Sequence, residues 1–99
     1  VIAFDTTPRT PPEVLYHGTQ EDVYFETICI QGLRRMRRHH VHLSDSVETA
    51  KKVAGRRSGK SVILTIFAKR MHDHGLIFFL SDNGVWLTEK VPSEYIELP

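Results

Sequence analysis

An apolar and largely β-branched run at residues 62–68 constrains the fold of this chain more than any other feature. The run is far shorter than the roughly 18 apolar residues that a membrane span requires, and β-branched side chains favour strands over helices. Since almost every position in it is apolar, we expect a central strand that is buried on both faces. The sequence therefore predicts a fold built around a sheet.

Weaker patterns predict the other strands. Val41 and Leu43 alternate with His40 and His42, which is the period of a half-buried strand. Asp82-Asn83-Gly84 has the residues that tolerate positive φ in a hairpin turn. Further short strands are expected at residues 14–16, 76–80, 85–88 and 96–98.

Two helices are predicted between these strands. The first covers residues 22–31, with Gly32 as a left-handed C-terminal cap. The second begins after Ser44 or Asp45 and ends near Gly55, and Glu48 lies three residues after Asp45, as in a capping box. Two helices among several strands indicate the α+β class.

The chain length allows one domain. Ninety-nine residues with 40% hydrophobic and 25% charged side chains are typical of a globular domain. The single cysteine, Cys29, excludes an internal disulfide framework. Residues 1–13 contain three prolines and do not begin with Met, so we expect a linker within a longer protein and a domain over residues 14–99.

The net charge of +1 conceals a strong separation of charge. Eleven of the thirteen basic residues lie between Arg34 and Arg70, together with only two acidic residues, Asp45 and Glu48. A local positive field of this kind suits phosphate groups. A solvated basic face is the alternative, since surface charge is common.

Six histidines raise the question of metal binding or acid–base chemistry. His40 and His42 would share one face of a strand, but two imidazoles fall short of the three or four ligands of a usual site, so no metal is expected. Near a basic patch, His17 and His42 are also candidates for general base and acid in RNA cleavage. The alternative is that either histidine merely makes local hydrogen bonds.

The loop from Gly55 to Lys60 is a second phosphate-binding candidate. It is no P-loop, because Gly59-Lys60-Ser61 follows a predicted helix and precedes a strand, the reverse of the P-loop order. It does present two arginines, Arg56 and Arg57, between glycines, and each guanidinium can bind a phosphate through two donors.

Five motifs occur in one order along the chain. They are Leu15-Tyr16-His17-Gly18-Thr19, Gly32-Leu33, His40-Val41-His42-Leu43-Ser44, Gly55-x-Arg57-x-Gly59 and Ser81-x-Asn83-Gly84-Val85-Trp86-Leu87-Thr88. From about Leu15 to Ile96 this series resembles the RNA 2′-phosphotransferase family, which includes the eukaryotic tRNA 2′-phosphotransferases. The resemblance implies an ADP-ribosyltransferase-like fold of two small packed β-sheets with a few short helices. It also implies that residues 14–99 are an NAD-binding lobe and that residues 1–13 lead from an upstream winged-helix lobe that grips RNA.

The resemblance further implies a transferase that consumes NAD and requires no metal. In this family the RNA 2′-phosphate attacks C1 of the nicotinamide ribose and expels nicotinamide. The neighbouring ribose 2-hydroxyl then attacks phosphorus, which releases RNA with a 2′-hydroxyl and ADP-ribose 1″,2″-cyclic phosphate. The expected role is tRNA processing of the splicing type, in an intracellular protein (cytoplasmic, or nuclear in a eukaryote) without membrane attachment.

Individual roles follow from the same resemblance. The family pattern implies that three short segments contact NAD: His17, Gly18 and Thr19; His42, Leu43 and Ser44; and Asn83, Gly84 and Val85. It implies a catalytic role for Arg57, with Arg56 as a competitor. The charge pattern itself leaves two interpretations of Arg34, Arg35, Arg37 and Arg38, which either form a solvated face or line the path to RNA. Arg38 and Arg56 are the candidates for RNA contacts. The family also uses an Arg-His pair and another arginine from the upstream lobe, which have no counterpart here. We therefore expect this chain alone to bind NAD but to turn over poorly.

Three other functions stay open at this point. An ADP-ribosyltransferase acting on another nucleic-acid phosphate and a non-catalytic NAD or ADP-ribose binding module would both use the same pocket. A hydrolytic ribonuclease would use His17 and His42 without NAD.

Overall fold

Two three-stranded antiparallel sheets carry most of the fold in the computed structural model, which describes residues 7–56 and 59–99. The first sheet has the order β1 (Leu15–Gln20), β4 (Ser61–Ile66), β8 (Ile96–Glu97). The second has the order β3 (Val41–Leu43), β6 (Trp86–Thr88), β5 (Phe78–Leu80). The α+β class is confirmed. The structure contains a further sheet in addition to the two expected, and its two strands are β2 (Leu33–Arg34) and β7 (Lys90–Val91).

The apolar run at residues 62–68 forms the central strand of its sheet, as predicted, but its burial is uneven. Leu64 and Ile66 are fully buried, whereas Ile63 and Thr65, on the other face, are half-buried. The predicted burial on both faces is therefore complete at Leu64 and Ile66 on one face and only partial at Ile63 and Thr65 on the other. The strand ends at Ile66, and Ala68 begins an unpredicted helix, α4 (Ala68–Asp73).

A helical segment follows β1 and ends where predicted. It consists of α1 (Glu21–Val23), a π-helical turn (Tyr24–Ile28) and α2 (Cys29–Gln31). Gly32 follows with φ of +75°, and a Cβ there would collide with the carbonyl oxygen of Val91. Glycine is thus required by both its backbone conformation and its packing.

The second predicted helix is α3 (Val47–Ala54), and its predicted cap is wrong. Ser46 is the N-cap, and its Oγ accepts a hydrogen bond from the Thr49 N–H at 3.3 Å. Ser44 cannot cap the helix because its backbone pairs with Tyr16. The chain is still extended at that point, so the helix starts later than Ser44 or Asp45 would require.

The core lies between the sheets and the helices. The expected hairpin joins β5 to β6, with Gly84 at φ of +83°, and a short 3₁₀ turn (Ser93–Tyr95) precedes β8. Trp86, in β6, is buried. The largest side chains with almost no exposure are Leu15, Leu43, Leu64, Ile66, Met71, Phe78, Thr88 and Val91. Within residues 7–56 and 59–99, the helices lack the length and apolarity to cross a membrane.

Candidate functional site

The two candidate histidines, His17 and His42, meet where the two large sheets join. Tyr16 and Ser44 exchange both backbone hydrogen bonds, at 2.7 and 2.9 Å, and so connect β1 to the end of β3. One residue along β1, the Nδ1 of His17 lies 3.0 Å from the carbonyl oxygen of His42. Two motifs 25 residues apart in sequence are thereby brought into contact.

The contact fixes the tautomer of His17. A carbonyl oxygen can only accept a hydrogen bond, so the Nδ1 of His17 carries the proton and donates. Burial lowers the pKa of His17, against a smaller opposing effect of this hydrogen bond. The ring is therefore neutral at pH 7, and its Nε2 offers a lone pair to a donor such as a ribose hydroxyl.

The tautomer of His42 is the opposite one, and Arg38 sets it. Nη1 of Arg38 lies 3.1 Å from Nδ1 of His42. A guanidinium is always protonated and can only donate, so Nδ1 of His42 holds a lone pair and Nε2 carries the proton. Partial desolvation, followed by the charge of Arg38, lowers the pKa of His42. His42 thus offers an N–H donor at Nε2.

Arg38 reaches His42 from a tight turn that precedes β3. The Arg38 N–H donates to the Arg35 carbonyl oxygen at 2.9 Å, and Met36 has φ of +55°. Arg34, Arg35, Arg37 and Arg38 are exposed around this turn. No pattern in the sequence indicates the contact between Arg38 and His42. Two residues that are four apart in sequence usually meet on one face of a helix, whereas Arg38 lies in a turn and His42 in a strand.

The strand pairing places the third candidate segment near the second. Leu43 pairs with Trp86, so the hairpin turn with Asn83, Gly84 and Val85 lies at the same end of this sheet as Ser44. The Val85 N–H donates to Ser81 Oγ at 2.9 Å, and Val85 itself is half-buried. Leu43 is buried in the core at 2% exposure, which leaves only its backbone to face a ligand.

Gly18 and Thr19 lie within β1, which runs on to Gln20 and so beyond the strand predicted at residues 14–16. β1 pairs with β4 continuously from Leu15 to Gln20, and this pairing keeps the backbone extended. A Cβ at Gly18 would collide with the Ala50 carbonyl oxygen and approach the Ala54 Cβ to 2.9 Å. Glycine is needed here because α3 crosses directly over the strand.

The arginine loop runs from the end of α3 to the start of β4. Arg56 is exposed, and its backbone N–H donates to the Val53 carbonyl oxygen at 3.3 Å. Arg57, the expected catalytic residue, lies outside the described residues. The loop enters β4 at Ser61, which pairs with Gln20. Gln20 is three residues beyond His17, or about 10 Å along the strand.

The available groups suit a nucleotide ribose better than a metal. His17 supplies an imidazole acceptor, His42 an imidazole donor, and Thr19 and Ser44 supply hydroxyls. Within the described part of the chain, three or more His, Cys, Asp or Glu side chains do not converge as metal ligands would. These groups can exchange hydrogen bonds with the hydroxyl groups of a sugar ligand.

Comparison with known proteins adds independent evidence. Residues 2–90 match the family model described as "RNA 2'-phosphotransferase, Tpt1 / KptA family". A protein of Rhizobium leguminosarum bv. trifolii named "Probable RNA 2'-phosphotransferase" is 54% identical over 90 residues, which are 91% of this chain and 48% of that protein. Proteins of the same name from Streptomyces coelicolor and Nostoc punctiforme are 51% and 50% identical, again over 91% of this chain and 48% and 49% of their own lengths.

The chain spans about half the length of the curated relatives it matches. The family model covers most of the chain, including the described residues that form the junction of His17 and His42. By sequence, this chain belongs to the RNA 2′-phosphotransferase family of transferases.

Proposed function

We propose that this chain is the NAD-binding lobe of an enzyme that removes an internal 2′-phosphate from RNA and consumes NAD. The observation that carries the proposal is the pair of neutral histidines at the sheet junction, His17 and His42. Their Nδ1 contacts leave Nε2 as an acceptor on His17 and as a donor on His42. NAD is a co-substrate of this reaction and not a resident cofactor. The fold proposed for the lobe is ADP-ribosyltransferase-like.

The junction would bind and orient NAD. The Nε2 of His17 accepts a hydrogen bond from a ribose hydroxyl, and the Nε2–H of His42 lies beside the nicotinamide end, with Ser44 next to it. Thr19 and the hairpin residues Asn83, Gly84 and Val85 complete the proposed contacts. Nicotinamide is a good leaving group, so orientation contributes more to the first step than strong acid or base catalysis does.

Phosphate chemistry is assigned to the arginines. In the second step the ribose 2-hydroxyl attacks phosphorus while the RNA 2′-oxygen leaves and takes up a proton, and negative charge is spread over the phosphoryl oxygens. A guanidinium from the loop, Arg57 before Arg56, would stabilise that charge. Arg38 uses one N–H on His42 and can offer others to an RNA phosphate. An upstream lobe of the kind that the family resemblance implies would supply the rest of the RNA grip.

The test follows a 2′-phosphorylated oligonucleotide with the complete protein, with and without NAD. We expect phosphate loss only with NAD, together with release of nicotinamide. Phosphate loss without NAD would replace the proposal by hydrolysis. Modification of a terminal phosphate in place of the internal one would favour the ADP-ribosyltransferase alternative, and NAD binding without turnover would favour a binding module.

Arg57→Ala separates the two steps of the proposed reaction. Removing one preorganised donor typically lowers a rate by about 10²–10³. We expect Arg57→Ala to bind NAD normally and to accumulate ADP-ribosylated RNA, which a gel resolves from the substrate and the product. Arg56→Ala is the matched control. Normal product formation by Arg57→Ala would end its assignment, and accumulation by Arg56→Ala would transfer the role to Arg56.

A further inference from the structure

We propose that Gln20 is a positioning residue that sets the distance between the two ends of the arginine loop, residues 55–60. The inference deepens the proposed function and rests on it, because it matters for catalysis only if this loop binds the phosphate. Gln20 is the last residue of β1 and is only 6% exposed. Gln20 directly follows the motif that ends at Thr19 and belongs to none of the five motifs.

The side chain of Gln20 holds the first end of the loop. Its Nε2 donates a hydrogen bond of 2.9 Å to the carbonyl oxygen of Ala54, the last residue of α3. The final carbonyls of a helix have no partner within the helix, so a side-chain donor here fixes where α3 stops. The loop begins at the next residue, Gly55.

The second end of the loop packs on the same amide group. The Oε1 of Gln20 would lie 3.1 Å from a Cβ at Gly59, whose φ of +101° also favours glycine. Beside it, the Glu21 N–H donates to the Lys60 carbonyl oxygen at 2.8 Å. The exposed ion pair between Lys60 and Glu21, at 3.5 Å, adds little because solvent screens it. Gln20 therefore donates a hydrogen bond to the residue before the loop, Ala54, and lies against Gly59 near the other end.

The described residues satisfy the buried amide of Gln20 only in part. Its Oε1 is buried and has no hydrogen-bond partner among the described residues. A buried polar atom without a partner is unfavourable, and an apolar side chain of the same size would fill this space without that penalty. The amide retains one specific function, which is to bind the end of α3. Since β1 also carries His17, this strand links the NAD-binding histidine to the phosphate-binding loop.

The experiment compares Gln20→Met with Thr88→Val in the complete protein. Both changes remove one hydrogen bond from a buried residue's side chain to the backbone. Thr88 bonds to the Ile77 carbonyl oxygen, far from the loop in sequence and on the other sheet. A small displacement of a catalytic group can lower a rate by up to roughly 10²-fold. We expect Gln20→Met to slow the second step roughly tenfold to a hundredfold, to accumulate ADP-ribosylated RNA and to bind NAD normally. Thr88→Val should show no accumulation.

A double variant distinguishes positioning from general destabilisation. The double variant combines Gln20→Met with whichever arginine variant slows the second step. If Gln20 acts through the loop, Gln20→Met should lower the second-step rate of that variant by less than about a further threefold. Gln20→Asn, whose shorter side chain cannot span the same distance, provides a second test if Gln20→Met does not fold. Equal slowing of both steps, or the full effect of Gln20→Met in the arginine variant, would overturn the inference. Normal turnover by the variants of both Arg56 and Arg57 would overturn the phosphate role of the loop as well.

Discussion

Replacing Gly18 by alanine tests whether this glycine serves the ligand or the fold. The family pattern implies that Gly18 lets the backbone approach NAD closely. In the structure, a Cβ at Gly18 would point toward α3. It would overlap the Ala50 carbonyl oxygen and come within 2.9 Å of the Ala54 Cβ. We therefore expect Gly18→Ala to act mainly on stability.

The size of the effect follows from those contacts. Forcing one extra carbon into a packed interior costs typically about 1–3 kcal/mol, and occasionally more. The Ala50 oxygen belongs to the helix backbone and cannot turn away as a flexible side chain would, so we expect about 3 kcal/mol. A domain of this size is stable by about 5–15 kcal/mol, and each 1 kcal/mol lowers Tm by about 4–8 °C. Gly18→Ala should thus lower Tm by about 12–24 °C.

Gly75→Ala is the matched control, followed with Gly18→Ala by thermal and urea unfolding. Gly75 has φ of +95° with no atom within 4 Å of a Cβ, so alanine there adds backbone strain without a collision. That strain is worth about 1–2 kcal/mol. NAD affinity is then compared at a temperature where every variant is folded. Equal destabilisation by the two substitutions, or an intact fold that no longer binds NAD, would refute the packing explanation of Gly18.

Three further predictions concern the histidines. His17→Ala should weaken binding of NAD or ADP-ribose about tenfold, the effect of losing one hydrogen bond of typical strength, and unchanged affinity in a calorimetric titration would remove His17 from the site. Arg38→Met should raise the pKa of His42, because the guanidinium is one cause of its lowering, and an unmoved NMR titration would contradict the contact. Burial lowers the pKa of His17 from 6.5 in the folded protein. As the pH falls, the unfolded chain therefore takes up a proton at His17 before the folded protein does. The free energy of unfolding should decline as the pH falls from 6.5 to the pKa of the folded state. The decline in unfolding free energy from this residue is at most about 1.4 kcal/mol per pH unit. Urea unfolding at several pH values should show a weaker dependence of this free energy on pH for His17→Gln. An equal dependence in both proteins would contradict the assignment.

Local sequence patterns predicted those elements that depend on local preferences. Alternation identified β3, the Asp-Asn-Gly sequence identified the hairpin before β6, and Gly32 marked the end of α2. The errors arose where pairing between distant residues decides the outcome. Ser44 is held extended by Tyr16, and this moves the helix cap to Ser46. The short β2 and β7 exist only because they pair with each other.

The candidate site shows the same division. Motifs selected His17, His42 and Ser44, and the structure brings all three to one junction. No pattern indicated that Arg38 would bind His42 or that Gln20 would bind Ala54. Both contacts depend on how a turn or a strand end is placed against another element, and their residue types are common on ordinary surfaces. The three-dimensional arrangement is required to find them.

The tautomers of the two histidines bear on which chemistry the junction can perform. A metal-free ribonuclease needs one neutral and one protonated imidazole near neutral pH, as base and acid. Here burial lowers the pKa of His17, and desolvation together with Arg38 lowers that of His42, so both rings are neutral. Protonating His42 at Nδ1 would also break its hydrogen bond from Arg38. The pair is therefore equipped to hold a ribose by one acceptor and one donor, and the negative charge of a reacting phosphate has to be met by guanidinium groups. This arrangement supports the proposed use of the two histidines to hold a ribose.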